Sequence, residues 1–372
     1  LLAFKKYLEN EAPRNFSNLA LLSILATGFR YESLFFIFFM CVYLFFIKKE
    51  YFQSIALGLF AMTPVLIYGW ISVDHGSFFL PNSLILKGNT NDGIVGFLTR
   101  VAGNAYRGLS VLVLILILLI QIYRNIKSAK LSDTPTLQHS KNAIPMIVFC
   151  GFAVHLLFAN FGWLIRYEAY LVVIILFAIA PFADELFQKK IGNQVLKFSM
   201  VILLLITFSL RFVPMLKNQP KASKNIFDQQ IQLADFLHQY YKNSKVVAND
   251  IGAITYFNNI HLLDTYGLGS IEVAKLRKED HGKFADNKKL QAYIYNTAKL
   301  QDFEVALVFD EWVKMPDYFS KVGTLTIQNN YMAGGTTVSF YAVKKENTDK
   351  LRNQLVEFSK QTPKDVIINI IK

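Results

Sequence analysis

The chain has 372 residues, 53% of them hydrophobic and 33 of them phenylalanine, and a net charge of +12. That apolar share exceeds what an ordinary soluble domain carries, and the two cysteines, Cys41 and Cys150, both sit in apolar runs, which excludes a disulfide framework or a cysteine metal site in the charged remainder. The positive charge does not point to nucleic acid, because the lysines and arginines fall mostly in short connections between apolar runs, where they orient membrane helices.

LLAF at 1–4 reads as the end of an earlier helix, so the sequence is expected to continue upstream with one or more further membrane helices. Seven spans follow, at about 16–29, 33–47, 52–72, 108–123, 143–161, 169–187 and 195–213, from apolar run length. FFIFFMCVYLFFI, LSVLVLILILLIQIY, LVVIILFAIAPF and VILLLITFSL are their nearly charge-free cores. The connections holding Lys5, Lys6 and Arg14, then Lys48 and Lys49, then Arg124 to Lys141, then Lys189 to Lys197 all fall on one side. The positive-inside rule makes that side the cytoplasm and turns the tail outward. The outer loop 73–107 is too apolar for disorder, and 94–107 has the pattern of an interfacial helix with Ile94, Val95, Phe97, Leu98 and Val101 on one face.

Beyond the last span, RFVPMLKNQPKASKN (211–225) reads as a linker and 226–241 as an amphipathic helix striped by Ile226, Ile231, Leu233, Phe236 and Leu237. Strands are expected at 245–249, 260–264, 304–309, 322–328 and 337–343, with helices near 271–278, 286–300 and 346–360. The fold class is therefore a membrane all-α bundle of about seven transmembrane helices with an outer loop (1–215), followed by a small α/β extracytoplasmic domain (216–372).

Arg-Tyr-Glu occurs twice, at Arg30–Glu32 and Arg166–Glu168, both times at the outer end of an apolar run. One reading is anchoring, since Arg and Tyr at helix ends snorkel or join the aromatic belt. Carboxylates gain little there, and ionisable groups near a membrane usually face a polar cavity and pair. The other reading is a site in which Arg30 and Arg166 grip an anionic head group while Glu32 and Glu168 fix the guanidinium planes or bind sugar hydroxyls. In HGSFFLPNSLILKG (75–88), His75 is a proton-transfer candidate, Asn82 a two-way hydrogen-bonding group and Lys87 a mobile cation, against the plainer reading of a lipid-dipping loop. In DIGAITYFNNIHLLDTYGLG, Asp250, Gly252, Asp264 and Gly267–Gly269 read first as turn and cap residues. His155 reads as a hydrogen-bonded interior residue. Zinc spacing, Ser-His-Asp order and a P-loop are all missing from the sequence.

Taken together these stretches resemble the GT-C superfamily of membrane glycosyltransferases, nearest to bacterial arabinofuranosyltransferase- and mannosyltransferase-like members that use polyprenyl-phosphate sugars. LSILATGFRYESLFF is similar to the segment where such enzymes carry Thr-Arg-Pro-Glu-Gly, with Arg30 and Glu32 at its charged positions but Tyr31 for Pro and Ser33 for Gly. HGSFFLPNSLILKG resembles their Gly-x-x-Leu-Pro-Asn-Thr-x-x-x-Lys loop through Gly76, Leu80, Pro81, Asn82 and Lys87. FGWLIRYEAYL resembles their Asp-Trp-x-x-x-Arg-Phe segment, with Gly162 for Asp, and VVANDIGAITYFNNIHLLDTYGLGS resembles the start of their extracytoplasmic domain. The resemblance implies transfer from a polyprenyl-phosphate-linked sugar to an acceptor hydroxyl on a cell-envelope glycan, glycolipid or protein, at the outer face of the cytoplasmic membrane. It implies no certain cofactor and leaves the divalent-metal question open. The family's catalytic carboxylate lies in a first outer loop upstream of the matched stretches, so no catalytic base is assigned. The rival readings are a multi-pass transporter or flippase, which calls for inverted repeats or broken helices, and a non-catalytic membrane protein whose tail binds a partner.

Overall fold

The structure is a computed structural model that describes residues 1–87, 93–129, 140–162, 165–188, 194–279 and 286–371. It divides into two compact units, one made of Leu1–Ile71 and Asp92–Met215, the other of Ser72–Asn91 and Leu216–Lys372.

The first unit is helical. Its elements are α1 (Leu2–Glu9), α2 (Pro13–Phe29), α3 (Ser33–Val42, continued by a π-helical turn to Lys48) and α4 (Tyr51–Asp74, whose last residues enter the other unit). After them come α6 (Gly93–Arg107), α7 (Leu109–Ala129), α8 (Ser140–Phe158), α9 (Ala169–Gln188) and the first part of α10 (Gln194–Asn225). The short helix α5 (Asn82–Lys87) belongs to the second unit. Runs such as LSVLVLILILLI show no polar face because a helix satisfies its own backbone and tolerates apolar surroundings all round. Leu114, Ile117 and Leu118 of α7 pack with Val148 of α8 and with Leu171 and Ile175 of α9. Phe4, Tyr7, Leu44, Leu57 and Ala61 form a second cluster. Gly151 admits the Phe36 ring, since a Cβ there would lie 2.5 Å from Cδ1 of that ring. Phe52, Trp70, Leu205 and Phe212 stay exposed on the apolar helices, large apolar side chains that the unit itself leaves uncovered.

Four helices among the described residues are long and apolar enough to cross a membrane: Tyr51–Asp74, Leu109–Lys127, Ala169–Gln188 and the continuous helix Gln194–Tyr240. The expected number was seven. The other three candidates are shorter. Ser33–Lys48 and Asn142–Phe158 hold 10–17 residues each. At about 1.5 Å per residue, 17 residues reach roughly 25 Å, less than the ~30 Å hydrocarbon core. Residues 16–29 lie in α2, whose 17 residues include Arg14, Asn15, Ser17 and Asn18. The expected linker at 211–225 is also corrected, because α10 runs unbroken to Asn225 and a π-helical turn (Ile226–Ile231) joins it to α11 (Gln232–Tyr240). Lys224 pairs with Asp228 at 2.5 Å, one turn on, and Asn225 accepts from Tyr331 N at 2.7 Å, so the segment read as a linker is held at its end by side-chain bonds.

The second unit is built on a six-stranded mixed sheet in the order β2-β1-β3-β5-β4-β6. β1 (Lys245–Ala248) lies parallel between β2 (His261–Asp264) and β3 (Val305–Val308), while β4 (Ser320–Ile327), β5 (Thr337–Ala342) and β6 (Val366–Ile370) add antiparallel pairs. Strand alternation sorts the core into two layers. Val246, Ala248, Val305 and Leu307 pack with Leu233, Phe236 and Leu237 of α11 and with Leu351, Leu355 and Phe358 of α15 (Thr348–Ser359). Val247, Ala306 and Val308 pack on the opposite face with Val273 of α13 (Ile271–Glu279) and with Leu290, Ile294 and Ala298 of α14 (Lys288–Leu300). Asn287 caps α14 by accepting from Leu290 N at 2.9 Å. The remaining helix, α12 (Gly252–Tyr256), links β1 to β2. β6 was not foreseen: its burial alternates along an edge paired only to β4, a weak signal in five residues.

The expected outer loop 73–107 is divided between the units. Its first part belongs with the sheet domain, while 93–107 forms α6 in the helical unit. In α6 the expected apolar side is present, with Ile94, Val95 and Leu98 exposed.

Candidate functional site

In the helical unit the two Arg-Tyr-Glu triplets occupy turns. Arg30 ends α2 in extended conformation, its N–H bonded to Ala26 O, and Glu32 stands at the N-cap position of α3 without a side-chain cap bond. The second triplet lies between α8 and α9, where Gly162 has φ +101° and Ile165 φ +64°. A Cβ on Gly162 would meet Arg107 Cδ at 3.1 Å, so both backbone angle and space call for glycine there. Asn104 of α6 closes the end of α8 by donating to the carbonyls of Leu156 and Ala159, at 3.1 and 2.8 Å, groups that a helix terminus leaves without donors.

The fold brings the triplets together. Arg30 Nη2 donates to Tyr167 O at 2.7 Å, across 137 residues of sequence, and lies 3.3 Å from Glu32 Oε1. Its guanidinium also lies over the Tyr170 ring, 4.2 Å from the centroid. Arg166 is exposed and stands over the ring of Tyr167 at 5.4 Å. Tyr167 is thus engaged by Arg30 at its carbonyl and by Arg166 at its ring.

Glu168 does something different from holding Arg166. It is 1% exposed, accepts from Gly162 N at 2.9 Å through Oε2, and lies 3.6 Å from Arg211 Nη1 through Oε1. Arg211 also donates to Ile165 O at 3.1 Å and Ser110 Oγ at 3.2 Å. Glu168 is therefore the clamp of the second turn, and its guanidinium partner comes from α10. Two further participants were not singled out in the sequence. They are Arg211, the partner of Glu168, and Tyr170, whose ring lies under Arg30. His155 is the hydrogen-bonded interior residue expected: wholly buried, it meets the Tyr170 hydroxyl through Nδ1 at 2.8 Å between the rings of Phe35 and Phe161.

His75 and Asn82 lie in the second unit; the Lys87 side chain and residues 88–92 fall outside the described residues, as do Trp163 and Leu164. His75 is exposed. Asn82 is a fastener: Nδ2 donates to Gly267 O at 3.2 Å and Leu268 O at 3.4 Å, and Oδ1 accepts from Ser77 at 3.3 Å. Lys278 stands over the Phe78 ring at 4.5 Å. The 75–87 stretch and the TYGLG turn, two separately noted motifs, therefore meet. Gly267 has φ +89°, and a Cβ on it would lie 2.9 Å from Ala274 N. Asp264 draws that turn in by accepting from Tyr266 N and Gly269 N, both at 2.7 Å. Arg277 donates to Tyr266 O and lies over the same residue's ring at 4.0 Å; burial lowers its pKa, with Tyr266 and Asp264 opposing. Asn249 joins the ends of β1 and β3 through two 3.0 Å bonds with the backbone of Phe309. Asp310 is saturated by Lys321, Ser339 and Tyr341 at 2.6, 2.7 and 2.8 Å. Among the described residues, no three His, Cys, Asp or Glu groups gather as a metal site.

Residues 224–341, within the second unit, match the model of a family described as a domain of unknown function (DUF8728). No curated protein and no solved structure matches the chain.

Proposed function

We propose that this protein is a GT-C-type glycosyltransferase of the cytoplasmic membrane, moving a sugar from a polyprenyl-phosphate donor to an acceptor hydroxyl at the outer face. In this reading the sheet domain and both triplets face outward. The observation that carries it is the engagement of Tyr167 by Arg30 and Arg166, two guanidinium groups from distant turns at the ends of apolar helices. A lipid-phosphate donor keeps its tail in hydrocarbon and its phosphate at head-group level, where an arginine held by fixed bonds stabilises developing phosphate charge without reorganising. The leaving group is a phosphate ester that needs little protonation, so cationic stabilisation and one carboxylate base suffice. Arg30 is the pre-set cation, restrained by Tyr167, Glu32 and Tyr170, and exposed Arg166 is the one that reaches the phosphate.

The test is equilibrium binding of radiolabelled polyprenyl phosphate, against uncharged polyprenol, to the purified chain in nanodiscs. The phosphate is expected to bind at least about tenfold tighter than the alcohol, a difference of about 1.4 kcal/mol. Arg166→Ala is expected to erase that preference without changing the unfolding temperature. Equal binding of phosphate and alcohol, or an unchanged preference in both Arg166→Ala and Arg30→Lys, overturns the reading.

A further inference from the structure

Three elements of the helical unit converge behind Arg30. The Tyr170 ring, at the start of α9, carries the Arg30 guanidinium 4.2 Å from its centroid, and the Tyr170 hydroxyl meets Nδ1 of His155, near the end of α8, at 2.8 Å. His155 is 0% exposed, with Phe35 and Phe161 edge-on to it at centroid distances of 6.3 and 4.9 Å. Phe36 stands edge-on to Tyr170 at 6.3 Å. The hydrogen bond between phenol and imidazole is thus made inside an aromatic box, where water does not compete for it and its strength is greater than at a surface.

Such a bond can run either way, since a phenol and a neutral imidazole both donate and accept. The cation decides the direction. Arg30 also donates toward the Tyr170 oxygen, and a guanidinium offers donors alone. The phenol therefore turns its lone pairs to Arg30 and its proton to His155, whose Nδ1 accepts. The ring proton of His155 is left on Nε2, because the bond made by one imidazole nitrogen sets the state of the other. A phenol that gives its proton to an acceptor becomes a better acceptor itself, as hydrogen bonds in a chain polarise one another. Its oxygen and its electron-rich face then hold the guanidinium more firmly.

We infer that His155 is a positioning residue for phosphate binding: by accepting the Tyr170 proton it fixes the phenol that holds Arg30 in place. This rests on the reading of Arg30 as the pre-set cation of the donor site and names the residue that sets it. His155 and Tyr170 themselves touch no phosphate in this scheme. A guanidinium left loose on its stem has to be ordered when the anion arrives, whereas one already held has met that cost at folding. Loss of His155 should therefore weaken recognition of the phosphate and leave the grip on the lipid tail unchanged.

The experiment compares equilibrium binding of polyprenyl phosphate and uncharged polyprenol to the purified chain in nanodiscs, for the parent and for His155→Leu, His155→Asn and Tyr170→Phe. His155→Leu removes the acceptor, and Tyr170→Phe removes the hydroxyl but keeps the ring. Each should lower the preference for phosphate about fivefold, the factor set by one neutral hydrogen bond of about 1 kcal/mol, with polyprenol binding unmoved. Tyr170→Phe serves where His155→Leu lowers the unfolding temperature. His155→Asn places an amide oxygen near the position of Nδ1 and should restore most of what His155→Leu loses. A packing role predicts the reverse, because asparagine fills an apolar box less well than leucine. Nitrogen-15 spectra of histidine-labelled protein supply the signature: a neutral His155 ring with its proton on Nε2, and an Nδ1 resonance that moves in Tyr170→Phe. A phosphate preference kept whole in both His155→Leu and Tyr170→Phe, or a proton found on Nδ1, overturns the inference and leaves the sugar-transfer reading standing. A parent that binds phosphate and alcohol equally overturns that reading, and this inference with it.

Discussion

Replacing Glu168 tests how the second triplet is built. Glu168→Ala removes the acceptor of the Gly162 N–H and the counter-charge of Arg211 in one step. At 3.6 Å and an effective dielectric near 20, the gross attraction is about 5 kcal/mol. Part of that offsets desolvation of the two groups. Arg211, with a side chain 15% exposed, would remain charged and uncompensated, and stranding such a partner costs about 3–5 kcal/mol. Glu168→Gln keeps an oxygen for Gly162 and loses mainly the charge, so its cost should be smaller, about 2–3 kcal/mol. The assay is thermal unfolding of the purified chain in detergent, where soluble-domain scaling converts the alanine loss into a fall of at least about 6 °C. A double-mutant cycle with Arg211→Met should give a coupling of about 2 kcal/mol. An alanine variant that melts within about 1 °C of the parent, or singles that add with no coupling, refutes the clamp.

The sheet domain carries its own tests. Gly267→Ala should destabilise it by more than about 2 kcal/mol, because the residue would be both strained at φ +89° and within 3.0 Å of the Ala274 backbone; local unfolding followed by Trp312 fluorescence checks this. Asn82→Ala should loosen the 72–87 stretch while leaving the sheet intact, seen as faster amide hydrogen exchange there and unchanged protection of β1 and β3; equal exchange in both forms would remove its fastening role. The Tyr341 phenol has its pKa raised by burial and by its bond to Asp310. Its folded-state pKa therefore lies above the unfolded value near 10, so its contribution is complete below about pH 10 and is lost as pH rises toward the folded value. Tyr341→Phe should flatten the alkaline limb of a stability–pH curve, and an identical limb in both proteins would contradict the assignment.

The division into an apolar helical part and a mixed α/β tail is legible in residue order, because both bilayer-length runs and strand alternation are local patterns. Val246–Ala248 and Val305–Val308 announce themselves as buried strands for that reason, and α13 to α15 lie within about two residues of where periodicity puts them, the usual margin for helix ends. The failures share a cause. Three expected spans fell short of the others because run length cannot say how much of a helix lies in hydrocarbon, and residues 211–225 continued as helix because side-chain bonds hold their far end.

The pairing of Glu168 was decided by tertiary structure alone. The sequence flags Glu168 as an oddity but supplies no reason to join it to Arg211 instead of Arg166, two residues away. Neighbours in a turn point apart, whereas loop closure costs only logarithmically more with length, so a distant partner on a packed helix can win. The same physics carries Arg30 to Tyr167 and fastens Asn82 to the Gly267 turn, pairings that depend on where rigid helices and strands place their ends.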